Sequence, residues 1–236
     1  MKLTHQSSPS SAFTLVLHMQ VSTDGFMKQL GHASQIIPLL HPQEKGKTPS
    51  EEETSALPAV LSRQFSHSDG IRGFFAVYLT SPESLTVDEV PVILAEAVKN
   101  ADKKVMVPLA CMNVIMPTAM SSIHVDAELK ECASKTAVNG IKILRLLKGD
   151  SAVTMNCKAI MSVCRGTGEG SEDLIEVSLA AALLCLNVVF CISEYNLSTK
   201  SSSILSPHQY WNKFFVGYGY ADKQKEDIAL VVSEFC

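Results

Sequence analysis

The apolar stretch Val177 to Ser193 (VSLAAALLCLNVVFCIS) contains no charge and lies between Glu176 and Glu194. A run of this kind is either a helix buried on every side or a membrane span. Its roughly 17 residues fall short of the roughly 20 that a bilayer core requires, and Asn187 interrupts it. Acids (Glu172, Asp173, Glu176, Glu194) flank it where a span would carry basic residues. Ser178, Ala181, Ala182 and Cys185 repeat as one narrow strip of small side chains, against which another helix could pack closely. The pattern therefore predicts a core helix over Asp173 to Ile192, with a membrane span as the alternative.

Val105 to Val125 is a second charge-free run, with Leu109, Met112, Met116, Met120 and Ile123 on one helical stripe. Pro108 fits a first turn, and Pro117 would kink the helix. Methionine on such a stripe suits an adaptable binding groove, although within an apolar run it more commonly fills a core. Asp126 to Lys148 follows with acids at its start and Lys142, Arg145 and Lys148 at its end, matching both poles of a helix dipole. Gly149 is its expected left-handed stop. Its inward face should carry Leu129, Ala133, Thr136, Gly140, Ile143 and Leu147.

Helix starts are marked explicitly. Ser50 with Glu53 forms a capping box, and Ser206-Pro207-His208-Gln209 adds a proline at the first helical position. Thr86 with Glu89 offers another box, but it would put Pro91 in the second turn, so Asp88 is the preferred cap. Shorter helices are expected at Asp24–Leu40, Ile71–Thr80, Ser151–Val163 and Lys223–Phe235. Only Phe13 to Val21 has a strand-like alternation. The polar stretches CRGTGEGS (164–171) and YNLSTKSSSILS (195–206) read as loops.

These elements predict an all-α fold, a single multi-helix domain of about eight helices around the central apolar helix. Residues 1–12 read as a disordered tail, 13–41 as an N-terminal helical extension, 42–50 as a linker (HPQEKGKTPS from His41) and 51–236 as the helical domain.

Composition narrows the function classes. A hydrophobic fraction of 46% in 236 residues supports a real core. A net charge of −4 and a pI near 6.0 provide no basic surplus for nucleic acid. Seven cysteines at irregular spacing read as reduced thiols in a reducing compartment. The expected location is the cytoplasm. A Ser-rich start without acids leaves an organelle transit segment as the alternative, although it also lacks arginine.

Candidate chemistry is sparse. His124, Asp126 and Glu128 lie within five residues, and His124 and Glu128 would share a face on one continuous helix. No second metal-ligand motif accompanies them, so the common reading is a cap at a turn, with no metal and no cofactor. Gly166-Thr167-Gly168-Glu169-Gly170 places a carboxylate where a phosphate loop needs a cation. Ser66-His67-Ser68-Asp69 reads as a cap in which Ser66 and Asp69 satisfy amides. Tyr210, Trp211, Phe214 and Phe215 form two i, i+4 pairs, either the docking face of a terminal helix or a partner-binding surface.

No motif assigns an activity. The leading expectation is a non-catalytic helical protein acting through contacts with a protein partner. The alternatives are a helical enzyme with a polar site near His124, Asp126 and Glu128, or a membrane-associated protein with Val177–Ser193 as its span.

Overall fold

The computed structural model describes residues 24–41, 49–167 and 205–236, and among these it contains helices and their connections but no strand. The expected tail at 1–12, the strand-like 13–21, linker residues 42–48 and the central run 173–192 lie outside the described residues. The chain divides into two compact units, residues 1–102 and 103–236.

The first unit holds α1 (Phe26–Leu40), α2 (Glu51–Gln64), α3 (Ser68–Tyr78), α4 (Pro82–Thr86) and α5 (Val92–Asn100). α1 buries Gln29, Ala33, Ile36, Ile37 and Leu40, a helical stripe that packs chiefly on α3. The crossing is tight at Gly73 of α3, where a Cβ would lie 2.5 Å from the Cβ of Gln29. Phe65, Phe74 and Tyr78 fill the space beside it, with ring centroids 5.1 and 5.4 Å apart in successive pairs. Burial pushes the Tyr78 phenol well above its ordinary pKa.

The Ser50 capping box forms as expected, with Ser50 N donating to Glu53 Oε2 at 2.8 Å and Glu53 N donating to Ser50 Oγ at 3.1 Å. The expected start at Asp88 is corrected. α5 begins at Val92 with Pro91 as its cap residue, and the Pro91 carbonyl accepts from Ala95 N at 2.9 Å. Proline disfavours helical backbone at the residue before it, and here the helix starts only after Pro91, which leaves Val90 outside it and Asp88 without a capping role. Thr86 instead closes the short α4, which Ser81 caps. At α3 the cap is His67, not Ser66 or Asp69; its Nδ1 accepts from Gly70 N at 3.2 Å.

The second unit holds α6 (Lys103–Ile123), α7 (Ala127–Arg145), α8 (Ser151–Arg165), α9 (Pro207–Tyr218), α10 (Asp222–Val232) and a terminal 3-10 turn, Ser233–Phe235. Helix α8 runs to Arg165, so Cys164 is helical and not part of a loop. α6 is the most enclosed element, packing against α7, α8 and α10. It starts before Pro108, and the helix continues through both prolines.

Pro117 has no N–H to give the carbonyl of Asn113 one turn earlier. Gly140 of α7 sits against that carbonyl. A Cβ there would lie 3.0 Å from the Asn113 carbonyl carbon and closer still to its oxygen. Ala133, Ala137, Gly140, Ile143 and Leu144 make the buried face of α7. Leu129 and Thr136, expected on that face, are respectively exposed and half-buried. Gly149, with φ +96°, turns the chain after α7 as expected.

α10 is fixed to α6 through Gln224, which is buried. Its Oε1 accepts from Ala221 N at 2.9 Å and its Nε2 donates to Ala119 O at 3.1 Å. One side chain thus caps a helix and ties it to its neighbour. Cys111 of α6 and Cys157 of α8 are fully buried and paired thiol to thiol, which together with desolvation holds the Cys111 thiol protonated.

The Gly140 contact gives a direct test. Gly140→Ala should destabilise the protein by about 1–3 kcal/mol, because a backbone carbonyl cannot rotate away as a side chain can. Gly217, near the end of α9, has nothing within 4 Å of the added carbon. Gly217→Ala should therefore stabilise by about 0.5–1 kcal/mol through helix propensity. Urea midpoints measure both, and equal midpoints for Gly140→Ala and wild type would remove the contact from the argument.

Candidate functional site

Among the described residues, one side of α6 is less deeply packed than the others. Met106, Val107, Ala110, Cys111, Val114, Ile115, Thr118 and Ala119 are buried around most of its circumference. Met112, Met116 and Met120 are half-buried, and Ile123 is 48% exposed. These four lie within about 80° of one another on a 3.6-residue wheel. Among the described residues the stripe from Met112 to Ile123 is thus the less buried side of α6, whereas Leu109, one turn earlier on the same stripe, is buried. At the adjoining α6–α7 turn Val125 is 100% exposed and Leu129 of α7 is 48% exposed. Exposed apolar side chains gathered at one corner, in place of polar ones, mark a candidate contact surface.

The same corner holds His124, Asp126 and Glu128. Helix α6 ends at Ile123 and α7 begins at Ala127, so His124 and Glu128 do not share a helix face. Asp126 caps α7, with Oδ1 accepting from Glu128 N at 2.9 Å and Leu129 N at 3.0 Å. The carboxylate meets the positive pole of the helix and serves a structural role. No group of three metal-ligating side chains occurs among the described residues. Beside the corner, Ser122 Oγ donates to Asp227 Oδ2 at 2.6 Å, and Lys223 and Ser122 together hold the Asp227 carboxyl below its usual range.

The α9 aromatics are placed differently. Trp211, Phe214 and Phe215 are buried in the second unit, where α9 packs on α8, and Tyr210 is half-buried. Trp211 Nε1 donates to Asn156 Oδ1 of α8 at 2.9 Å. These rings dock their own helix, and only Tyr210 has substantial surface to offer a partner.

The first unit contains a polar cluster that sequence patterns did not disclose. Gln29, buried at the tight α1–α3 crossing, donates from Nε2 to Asp24 O at 2.9 Å and lies 3.4 Å from His67 Nε2. Gln64 Nε2 donates to Gln29 O at 3.4 Å. Asp24 Oδ2 is 2.9 Å from His32 Nε2 and its Oδ1 is 2.9 Å from Lys28 Nζ. His32 and Lys28 together hold the Asp24 carboxyl below the ordinary range. Arg72 stacks over Phe26 at 5.1 Å. Acid, base and cation types are all present, but their hydrogen bonds tie the start of α1 to the α2–α3 turn. The available signals were the Asp24–Lys28 spacing of four and the glycines three apart on α3, Gly70 and Gly73.

The profile of the family described as Uncharacterised conserved protein UCP020893 matches residues 38–174, more than half of the chain. The chain belongs to this family. The matched span takes in α2 through α8, and with them the Met strip, the His124 corner, Gln64 and His67. Asp24, His32 and the α9 aromatics fall outside it. No curated protein and no solved structure matches the chain. The family description names no activity.

The depressed Asp24 carboxyl sets a pH dependence. A carboxyl whose folded pKa lies below its unfolded value, ordinarily 3.8, contributes stability above that value and loses it as pH falls through the folded pKa. Asp24→Asn should therefore melt below wild type at neutral pH, with a constant gap down to about pH 4 that closes at more acid pH. Melting curves across pH 7 to about 2 read this, and a gap that persists at the acid end would disprove the link.

Proposed function

We propose that this protein is a non-catalytic helical module that works through protein contacts, with the Met112–Met116–Met120–Ile123 strip of α6 as the docking surface. The observation that carries the proposal is the inversion on α6. A helix held on its other faces by a packed unit should turn polar residues towards solvent, and here the partly exposed positions are Met112, Met116 and Met120, with Ile123 48% exposed. Spacings of four, four and three residues match the i, i+4, i+7 anchors of an amphipathic helix laid along a groove. Methionine suits such a surface because its unbranched, polarizable side chain refits to different contours. The partner is therefore an amphipathic helix of another protein with aliphatic or aromatic anchors. The paired buried thiols of Cys111 and Cys157 agree with a cytoplasmic setting, which is part of the proposal.

The span expected of the membrane reading, Val177–Ser193, lies outside the described residues, and the apolar helix that is described is a different one. Lys103–Ile123 is long and apolar enough to cross a bilayer by length and composition, with a mean hydropathy of 1.4, yet 56% of that window is buried. Burial of this extent is what a core helix shows, and the protein reading accounts for both facts.

A photo-crosslinking amino acid at position 116 of the full chain, compared with one at the exposed Lys135 of α7, separates the readings in cells. The expected result is a discrete protein adduct at 116, absent at 135 and lost when Ile123→Asp is added. Ile123→Asp itself should change stability by less than about 0.5 kcal/mol, because the side chain is already half in solvent. Lipid adducts at 116 would favour the membrane reading, and adducts of equal yield at both positions would defeat the docking surface.

A further inference from the structure

The terminal 3-10 turn is held in place by α7. Glu234 accepts from Arg145 Nε and Nη2, each at 2.7 Å, and Lys148 Nζ lies 6.0 Å from the centroid of the buried Phe235 ring. The turn packs on α8, which fixes where Cys236 meets that helix. Cys236 Sγ donates to Met161 Sδ of α8 at 3.0 Å. Cys157 precedes Met161 by four residues on α8, so the two side chains share a face. Cys157 is fully buried, Met161 half-buried and Cys236 exposed. Three sulfurs from two elements thus run from the core to the surface at one place.

Partial burial raises the Cys236 thiol above its ordinary pKa; Cys157 is close enough to add to this, and Lys158 and Arg165 oppose it. A thiol held protonated makes a poor nucleophile, so the cluster has little to offer covalent catalysis. Soft thiolate and thioether donors do suit a soft ion, Cu(I) above all. Zinc wants four donors, and no group of three His, Cys, Asp or Glu side chains occurs among the described residues.

We propose that Cys157, Met161 and Cys236 form a binding site for monovalent copper. Each cysteine gives its proton to water on binding, each sulfur donates an electron pair, and the metal remains Cu(I). Two thiolates leave the complex with one negative charge, which Lys158 and Arg165 face. The Cys111 thiol, paired with Cys157 and held protonated, supports that sulfur from behind. Exposure of Cys236 provides the way in.

Silver(I), of the same charge and softness, is the probe for NMR of the full chain with isotope-labelled methionine methyls. Excess glutathione keeps exposed thiols such as Cys132 from holding the ion. Equimolar silver should move the Met161 methyl resonance and leave that of Met155, which is 55% exposed on the same helix. Cu(I) affinity, read by competition with bicinchoninate, should fall more than about tenfold in Cys236→Ser, since losing even an outer partner of a metal ligand costs about that much. Met161→Leu keeps the volume and should weaken binding likewise; with Cys236→Ser, at an exposed position, it keeps the test decisive if one variant does not fold. The site is refuted if the Met161 methyl stays in place, if Met155 moves with it, if zinc chloride has the same effect, or if both variants bind Cu(I) as wild type does.

Discussion

The carbonyl of Asn113 is the point on which the second unit turns. Pro117 denies it the usual helical partner, and α6 is buried around most of its circumference, so a freed acceptor there has little water to turn to. Gly140 brings bare backbone against that carbonyl, an approach that any side chain would block. Along the turns that lead to this contact the buried face of α7 carries small residues, Ala133 and Ala137. Gln224 then fixes α10 to the C-terminal third of α6 through Ala119 O. With α7 and α10 fixed and α8 also packed on α6, the side of α6 that remains outward is determined. It is the Met strip.

The first unit follows the same logic with a different consequence. Gly73 lets α3 approach α1 at Gln29, and a side chain at such a crossing is sealed from water. A buried amide must be hydrogen-bonded or it costs a few kcal/mol. Gln29 Nε2 meets part of that need at Asp24 O and His67 Nε2, and the main-chain carbonyl of Gln29 accepts from Gln64. The cluster is therefore a product of close packing. Its histidines and acids lie where the helix crossing needs hydrogen bonds, and that accounts for its composition without invoking catalysis.

Local chemistry was the readable part of the sequence. The capping boxes at Ser50 and Ser206, the Asp126 cap and the left-handed Gly149 all depend on neighbours within three or four residues, and all four stand in the structure. Errors arose where a second local rule competed. Pro91 overruled Asp88 through its effect on Val90, and an imidazole capped α3 where hydroxyl and carboxylate were the expected types. Facing was harder to read. Leu129 has the right phase for the inner side of α7 but lies at the corner, where it remains exposed, so periodicity alone could not bury it. Gln29, Gln64 and Gln224 were hard to read, because each takes one of its partners from another element of the fold.

The contrast between the two faces of α6 carries the functional argument. Its inner faces admit few alternatives, given a proline, a glycine contact and a buried thiol pair. Its outer strip is under no such constraint, since a side chain half in water can be polar at little cost to the packing beneath it. Three methionines and an isoleucine on that strip are thus not required by the fold of the second unit. A rigid backing with adaptable apolar side chains in front is what a docking surface needs, because the ordering cost of binding is confined to the side chains. The stiffness set by Gly140 and the pliancy of Met112, Met116 and Met120 are complementary halves of one surface.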